Sequence, residues 1–332
     1  MTEQTTAYRS VLVTGAAGYI GRQVVAALAA DRRRLTTIVA SDLREQPPEA
    51  RLAGVQYLAM DICAPELAQA LAQYKVDVVV HLAAIVTPGR DSDRSLEYKV
   101  DVLGTENVLK ACVASGVKKF IYTSSGAAYG YYPDNAPWLD ENDPIRGNQE
   151  FAYSYHKRLV EEMLARYRNE HPALEQLIFR PGFILGAQTR NQITNLFDQK
   201  RITGLKEVDS PFVIIWDQDV AAAILQGIFQ GGSGIYNLAG DGVLTLSEMA
   251  RLLGKPYRAL PAGVVAAALW VAKRLRLTQY GPEQVRFLRY RPVLSNRRLK
   301  EEFGFTPRKT TRQVFDYYLE HRRRAHAAGV RS

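Results

Sequence analysis

A short apolar run, Ser10-Val11-Leu12-Val13-Thr14, leads straight into Gly15-Ala16-Ala17-Gly18-Tyr19-Ile20-Gly21, and a helical apolar stripe of Ile20, Val24, Val25, Leu28 and Ala29 follows. Strand, glycine turn and helix in that order leave few folds open. Gly15 permits a tight turn, Gly18 lets an anionic group approach the backbone, and Gly21 lets the helix pack closely on the strand. Backbone N–H groups and the helix N-terminus then face a pyrophosphate. A glycine triplet alone is weak evidence, but here its flanks are those the mechanism requires.

The alternation continues. Strands are predicted at Leu35 to Ala40, Val55 to Ala59, Val76 to Leu82, Lys118 to Thr123 and Leu174 to Arg180, with helices from Pro65 and over Ser95 to Ser115. The β-branched run ending in His81-Leu82-Ala83-Ala84 is that of a strand buried on both faces. Such alternation implies an α/β fold, a Rossmann-type doubly wound parallel sheet with right-handed crossovers. Ligands bind at the carboxyl ends of such strands, where Gly15, Asp42, Asp61, Ala83 and Ser124 all fall. Asp42, closing the second strand, suits the adenosine ribose hydroxyls of NAD and would repel a 2′-phosphate. Arg44, two residues on, keeps NADP open.

A further stretch, Phe151-Ala152-Tyr153-Ser154-Tyr155-His156-Lys157, reads as a helix start that puts Tyr153 and Lys157 one turn apart on one face. A phenol titrates near 10, and a neighbouring ammonium favours the phenolate. The pair is thus a compact acid/base unit. Tyr155 and His156 lie on other faces, with packing or solvent as their expected surroundings. The Pro-, Asn- and Asp-rich loop before this helix, up to Asn148, is long enough to carry function.

The matching pieces now cover most of the chain: Thr14-Gly15-Ala16-Ala17-Gly18-Tyr19-Ile20-Gly21, Asp42, Asp61-Ile62, His81-Leu82-Ala83-Ala84, Gly104-Thr105-Glu106-Asn107-Val108-Leu109, Ser124-Ser125 with Tyr129-Gly130, Tyr153 with Lys157, and Arg180-Pro181. In this order they resemble an extended short-chain dehydrogenase/reductase of the NAD-dependent epimerase/dehydratase family. The resemblance implies that Gly15, Ala17, Gly18, Tyr19, Ile20, Asp42, Asp61, Ile62, Leu82, Ala83, Ala84, Lys157 and Arg180 contact the cofactor. It gives Ser125 the hydroxyl that orients a substrate oxygen, with Ser124 as the alternative. Tyr153 becomes the acid/base, and Lys157 serves both the nicotinamide ribose and the Tyr153 proton. One departure stands out: Asp101 occupies a position where the family usually has Asn. A homodimer is the common assembly of the family, and no metal is implied.

Downstream of Gly186 the alternation stops. The expected division is a cofactor-binding domain over 1–185, with 212–240 returning to the sheet, a mostly helical substrate lobe over 186–211 and 241–325, and a basic tail over 326–332. Phe212 to Trp216 reads as a strand, Gly234 to Leu238 as a strand rejoining the sheet, and Thr245-Leu246-Ser247-Glu248 as a capping box. Sugar-nucleotide enzymes of this family usually carry an Asn where Phe183 stands and an Arg just before the aromatic strand, where Val208 to Phe212 has no basic residue. Arg289 or Arg291 could supply part of that charge. The Arg180-to-Gly186 stretch instead resembles reductases and hydroxysteroid-dehydrogenase-like members. Phe183, Trp216, Tyr131 and Tyr132 are candidates to line an apolar pocket. Net NAD-dependent oxidation or reduction of an apolar secondary alcohol or ketone is therefore the leading expectation. The alternatives are a nucleotide-sugar epimerase or dehydratase with retained NAD and, third, a non-catalytic NAD-binding protein.

Composition excludes little else. The formal charge is +9, from 43 basic and 34 acidic residues, yet no nucleic-acid-reading motif accompanies it, so solvated helix faces are the expected use of the excess. The longest apolar run, Ala262 to Ala272, is too short to cross a bilayer. For the broad apolar helix over Pro261 to Leu277, packing on the fold is the leading reading, and lying on a membrane or closing over an apolar substrate are the lesser ones. Two cysteines, Cys63 and Cys112, make no disulfide framework, and the polar N-terminus has no signal-peptide core. A cytoplasmic location and a small-molecule substrate are the resulting expectations.

Overall fold

The computed structural model describes residues 8–86, 93–275, 277–278 and 281–327. The part of the expected basic tail from 328 on lies outside the described residues. The chain forms two compact units, one from Met1–Ser125, His156–Arg180 and Gln218–Tyr236, the other from Gly126–Tyr155, Pro181–Asp217 and Asn237–Ser332.

A parallel sheet of seven strands organises the first. In chain order the strands are β1 (Ser10–Thr14), β2 (Thr37–Asp42), β3 (Gln56–Ala59), β4 (Val78–His81), β5 (Lys119–Thr123) and β6 (Glu175–Pro181), joined by Gly234–Leu238 late in the chain. Their spatial order is Gly234–Leu238, β6, β5, β4, β1, β2, β3. The order reverses direction between β1 and β4, where ligands of doubly wound sheets bind. β1 pairs in register with both neighbours, Thr14 lying beside Ser41 and His81. Each residue of β1 and β4 is buried; six of the nine are Val or Leu, and the polar Ser10, Thr14 and His81 are hydrogen-bonded. Leu12, Val79, Phe120, Val108 and Leu164 meet in one core, each contributing about 1.5–3 kcal/mol of burial.

Helices α1 (Tyr19–Ala30) and α2 (Leu67–Gln73) fall where periodicity placed them. The single helix expected over Ser95 to Ser115 is instead broken. It runs as α3 (Arg94–Tyr98), a π-helical turn over Lys99–Gly104, and α4 (Thr105–Ala114). Crowding helps explain the wide turn: a Cβ on Gly104 would stand 2.7 Å from Ile62 Cδ1, so the turn must come close to the loop after β3. The seventh strand, predicted to return, does so.

The second unit contains short strand pairs and helices. The one strand expected over Phe212 to Trp216 is two. Pro211–Phe212 pairs antiparallel with Leu244–Thr245, and Ile214–Trp216 pairs parallel with Phe183–Leu185, so the chain changes partner at Val213. The capping box forms as read, with Thr245 accepting from the Glu248 N–H and Glu248 from the Thr245 N–H. Phe183, Phe197, Phe212, Leu246 and Phe315 form the core of this unit. The helix Ala262–Arg274 departs from its expected packing. Only Ala262 is buried, whereas Val264, Trp270 and Val271 are exposed. Among the described residues no helix is long and apolar enough to cross a membrane.

Candidate active site

The glycine turn folds as its sequence requires. Gly15 takes φ +66°, and a Cβ there would lie 2.7 Å from the Ala83 nitrogen. A Cβ on Gly21 would lie 2.1 Å from the Gly15 carbonyl oxygen. Gly18 caps α1 with extended backbone and no side-chain hydrogen bond, so the first N–H groups of α1 face the turn without a side-chain cap. Tyr19 and Ile20 start that helix half-buried, and Ala17 is buried. No Cβ fits at Gly15 or Gly21, and the first turn of α1 has no side-chain cap, a setting that suits a pyrophosphate.

Asp42 closes β2 beside the turn. Its Oδ2 accepts the Ala17 N–H at 3.0 Å and its Oδ1 the Arg44 N–H at 3.1 Å. The Arg44 guanidinium stands 3.5 Å away but is 72% exposed, so its screened charge does little to invite a 2′-phosphate. Asp42, Arg44, Tyr57, Leu58 and Ala59 line a shallow groove with Ala16, suited to an adenosine. Asp61 lies exposed beyond β3 and accepts the Cys63 N–H at 2.9 Å, while Ile62 is buried. Asn107 holds this loop by donating to the Ile62 and Ala64 carbonyls at 2.7 and 2.9 Å. That gives a role to a residue that the resemblance quoted without one.

Leu82, Ala83 and Ala84 leave the end of β4 half-buried. Their position depends on a buried chain of hydrogen bonds through His81. The Thr105 hydroxyl donates to the Asp101 carbonyl at 2.7 Å, so it accepts from His81 Nε2 at 3.0 Å. Nδ1 must then accept from the Thr14 hydroxyl at 2.7 Å, which fixes the tautomer. Thr14 Oγ1 also accepts the Leu82 and Ala83 N–H groups at 3.3 and 3.4 Å. Burial, with the Lys157 charge, pushes the His81 pKa down to about 3. The folded ring therefore stays neutral where the unfolded ring, near 6.5, takes a proton. Its contribution to stability is present above pH 6.5 and lost as pH falls toward 3, at about 1.4 kcal/mol per unit. We expect the wild type to lose about 2 kcal/mol more than His81→Gln between pH 7 and pH 5. Urea midpoints at the two pH values check this, and parallel losses would disprove it.

Tyr153 and Lys157 both lie on α5 (Ala152–Glu170), one turn apart as predicted. Tyr153 is half-buried. The residue after it, Ser154, pins the helix start by donating to the Ala127 carbonyl at 2.6 Å and accepting the Asn148 N–H at 3.1 Å. Lys157 is 4% exposed. Its ammonium donates to the Tyr122 hydroxyl and the Thr123 carbonyl, both at 2.9 Å, and stands 4.6 Å above the Tyr122 ring. Burial pulls its pKa down to about 8, against the opposing pull of the Asp101 and Glu161 carboxylates.

Of the two serines ending β5, Ser124 is 2% exposed and donates to Glu161 Oε1 at 2.5 Å. Glu161 also binds the Arg180 guanidinium, Nε at 3.0 Å and Nη2 at 2.6 Å. Ser124 and Arg180 are thus engaged in a buried ion-pair cluster, while Ser125 is half-buried. Glu161, Tyr122 and His156 are partners that sequence reasoning missed. Glu161 follows Lys157 by one turn, a spacing that could have revealed it. His156, expected to meet packing or solvent, is buried against Asp101, 55 residues away, and no local pattern announces such a pair.

Phe183 and Trp216 lie in the second unit. Phe183 packs edge-on to Phe212, and Trp216 edge-on to Tyr317. Arg291 is the more conspicuous side chain there. Its guanidinium lies 4.0 Å from the Phe212 ring centre and 4.6 Å from that of Phe287. Nη1 is buried with no hydrogen-bond partner among the described residues, and burial pushes its pKa down to about 10. Among the described residues no cluster could hold a metal.

The chain resembles known proteins along its length. An uncharacterized protein of Mycobacterium tuberculosis is 24% identical over 94% of this chain and 84% of its own. The N-acetyl-alpha-D-glucosaminyl-diphospho-ditrans,octacis-undecaprenol 4-epimerase of Escherichia coli O157:H7 is 35% identical over 57% of this chain and 53% of its own. The fold is shared with the Thermus thermophilus UDP-glucose 4-epimerase solved with NAD, at TM-score 0.72 and 24% identity over 95% of this chain and 99% of that one. The model of the NAD dependent epimerase/dehydratase family matches residues 11–220. With the family model matching residues 11–220, the chain belongs to the NAD dependent epimerase/dehydratase family, and its cofactor is NAD.

Proposed function

We propose that this protein catalyses hydride transfer at a secondary carbinol carbon, with Tyr153 as the acid/base, Lys157 as its electrostatic partner and Ser125 orienting the substrate oxygen. One observation carries this reading: a desolvated ammonium, held by Tyr122 and Thr123, stands one helical turn from Tyr153. NAD, when bound, supplies the hydride acceptor or donor at its nicotinamide ring. The residues do the rest. Gly15, Ala17, Gly18, Tyr19 and Ile20 bind the pyrophosphate, Asp42 the adenosine ribose, Asp61 and Ile62 the adenine, and Leu82 to Ala84 with Lys157 the nicotinamide side. Arg180 supports this set from within its pair with Glu161. Tyr153 takes the carbinol proton at its phenolic oxygen as the alcohol is oxidised, or returns it as the ketone is reduced. The Lys157 charge favours the phenolate and so lowers the barrier to that transfer.

Two substrate classes divide from here. The sequence favoured net turnover of an apolar alcohol or ketone, but the packing of Phe183 and Trp216 on core rings weakens that argument. Arg291 favours the other class, an anionic substrate such as a nucleotide sugar, epimerised or dehydrated with NAD retained. A half-buried guanidinium with a buried Nη1 lacking a partner among the described residues is strongly stabilised by a phosphate oxygen. The 4-epimerase relative agrees with this choice. The test is to incubate the NAD-loaded protein with UDP-sugars and, separately, with sterols and aryl ketones, following absorbance at 340 nm and products by NMR. Conversion of a UDP-sugar without net NADH supports the anionic class. Stoichiometric NADH from an apolar alcohol, with inert UDP-sugars, would defeat it.

A further inference from the structure

The helix Ala262–Arg274 is apolar all round until its last turn, for Ala262 to Ala272 carries no polar side chain. Helices of that kind normally lie inside a core or a membrane. This one is held at the surface of its unit. At its start the Ala262 N–H meets both Glu207 carboxylate oxygens, at 3.0 and 3.1 Å, and at its end Lys273 stands 3.2 Å from Glu283. Val265, Ala266, Leu269 and Ala272 make a half-buried inner face. Val264, Ala268, Val271 and Leu275 recur at helical spacing and make a second apolar stripe, and all four are exposed. Val264 is 53% exposed, Leu275 62%, and Trp270, one turn before Arg274, 61%.

Charge rims this stripe. Lys273 and Arg274 are exposed at the helix end. At its start the Ala262 N–H, with the Arg289 and Lys206 charges, holds the Glu207 carboxyl below its ordinary range, so those two cations stand near the first turn. From Arg251 to Arg291 the sequence carries nine basic residues against one acidic, Glu283. Most of the chain's positive excess therefore lies in the stretch that contains the exposed stripe.

We propose that this outer face docks on an anionic lipid surface, with Val264, Trp270, Val271 and Leu275 entering the headgroup boundary and Lys273 and Arg274 meeting lipid phosphates. The apolar stripe alone would suit several occupants, and the charge selects among them. A second copy docked on the same face would bring the same excess of cations onto it. Anionic lipids supply the opposite charge, which contributes about fivefold in affinity for each Lys or Arg near the surface. An indole is well suited to the boundary between headgroups and acyl chains. With 13 residues the helix is about 20 Å long, so it lies in the interface and does not span it.

The test is co-sedimentation of the full chain with sucrose-loaded vesicles of phosphatidylcholine, with or without phosphatidylglycerol, at low and high salt. Wild type is expected to sediment with the anionic vesicles and to bind about tenfold or more weakly to phosphatidylcholine alone, with high salt reducing the difference. Val271→Ser combined with Leu275→Ser is expected to weaken anionic binding at least about tenfold. Lys273→Ala combined with Arg274→Ala is expected to weaken it about 25-fold. All four side chains are exposed, so urea midpoints of the variants should match wild type. Tryptophan emission gives a readout that needs no loss of binding. Anionic vesicles are expected to shift wild-type emission to the blue, Trp138→Phe to keep that shift, and Trp270→Phe to remove it. Absence of binding to either vesicle overturns the proposal, and so does equal binding by wild type and both double variants. If light scattering shows an oligomer that Val271→Ser with Leu275→Ser splits, the face belongs to a second copy and the proposal falls.

Discussion

Tyr153→Phe is expected to slow hydride transfer by about 10²- to 10⁴-fold while NADH affinity stays within about twofold. The magnitude follows from what the substitution removes. Phe keeps the ring and its half-buried packing, so Ser154 still pins the start of α5 to the Ala127 carbonyl and Lys157 still meets Tyr122 and Thr123. The substitution removes the phenolic oxygen, which the proposed function makes the proton carrier. The rate is measured at saturating NAD with the substrate that the product screen identifies, beside a fluorescence titration with NADH. A fall in affinity matching the fall in rate would assign Tyr153 to binding rather than to proton transfer.

Gly21→Ala is expected to abolish measurable NAD binding and to cost about 3 kcal/mol of stability. A methyl group at this position would stand 2.1 Å from the Gly15 carbonyl oxygen and 2.8 Å from the Ala16 Cα. Neither is the end of a flexible side chain. The turn must open, and the N–H groups proposed to bind the pyrophosphate move with it. Gly263→Ala is the control, because nothing lies within 4 Å of the added carbon and its φ needs no glycine. Helix propensity predicts that this change is neutral or stabilising by up to about 1 kcal/mol. Denaturant midpoints and NAD titrations of the two variants read both effects. Equal stabilities would refute the close approach of α1 to the turn.

The parts of the fold legible in the sequence are those with local causes. β1, its glycine turn and α1 follow from apolar runs and from glycines where no Cβ fits, and the alternation that repeats them gives the parallel sheet. The spacing of Tyr153 and Lys157 is likewise local, since one helical turn fixes it. The π turn at Lys99–Gly104 was not legible, because its side-chain pattern is that of an ordinary helix and the close approach of Ile62 to Gly104 is a tertiary contact. The break at Val213 depends on which strands happen to flank it, as edge pairings do. Within the site, the engagement of Ser124 and Arg180 by Glu161, and the meeting of Asp101 with His156, join residues 19 to 55 positions apart. Such pairs depend on tertiary placement and leave no periodicity to read. The choice of substrate class shows the same limit. Arg291 was legible only as one of two candidates, with Arg289, to supply positive charge, and its place against the Phe212 and Phe287 rings is what distinguishes it.

The measurement that bears most directly on the central claim is a crystal structure of the full chain with NAD. The account predicts the pyrophosphate on the N–H groups of the Gly15–Gly21 turn, the adenosine ribose hydroxyls on the Asp42 carboxylate, and the Lys157 ammonium within about 3.2 Å of a hydroxyl of the nicotinamide ribose. NAD bound with that ribose away from Lys157, or with no ribose contact to Asp42, would contradict it.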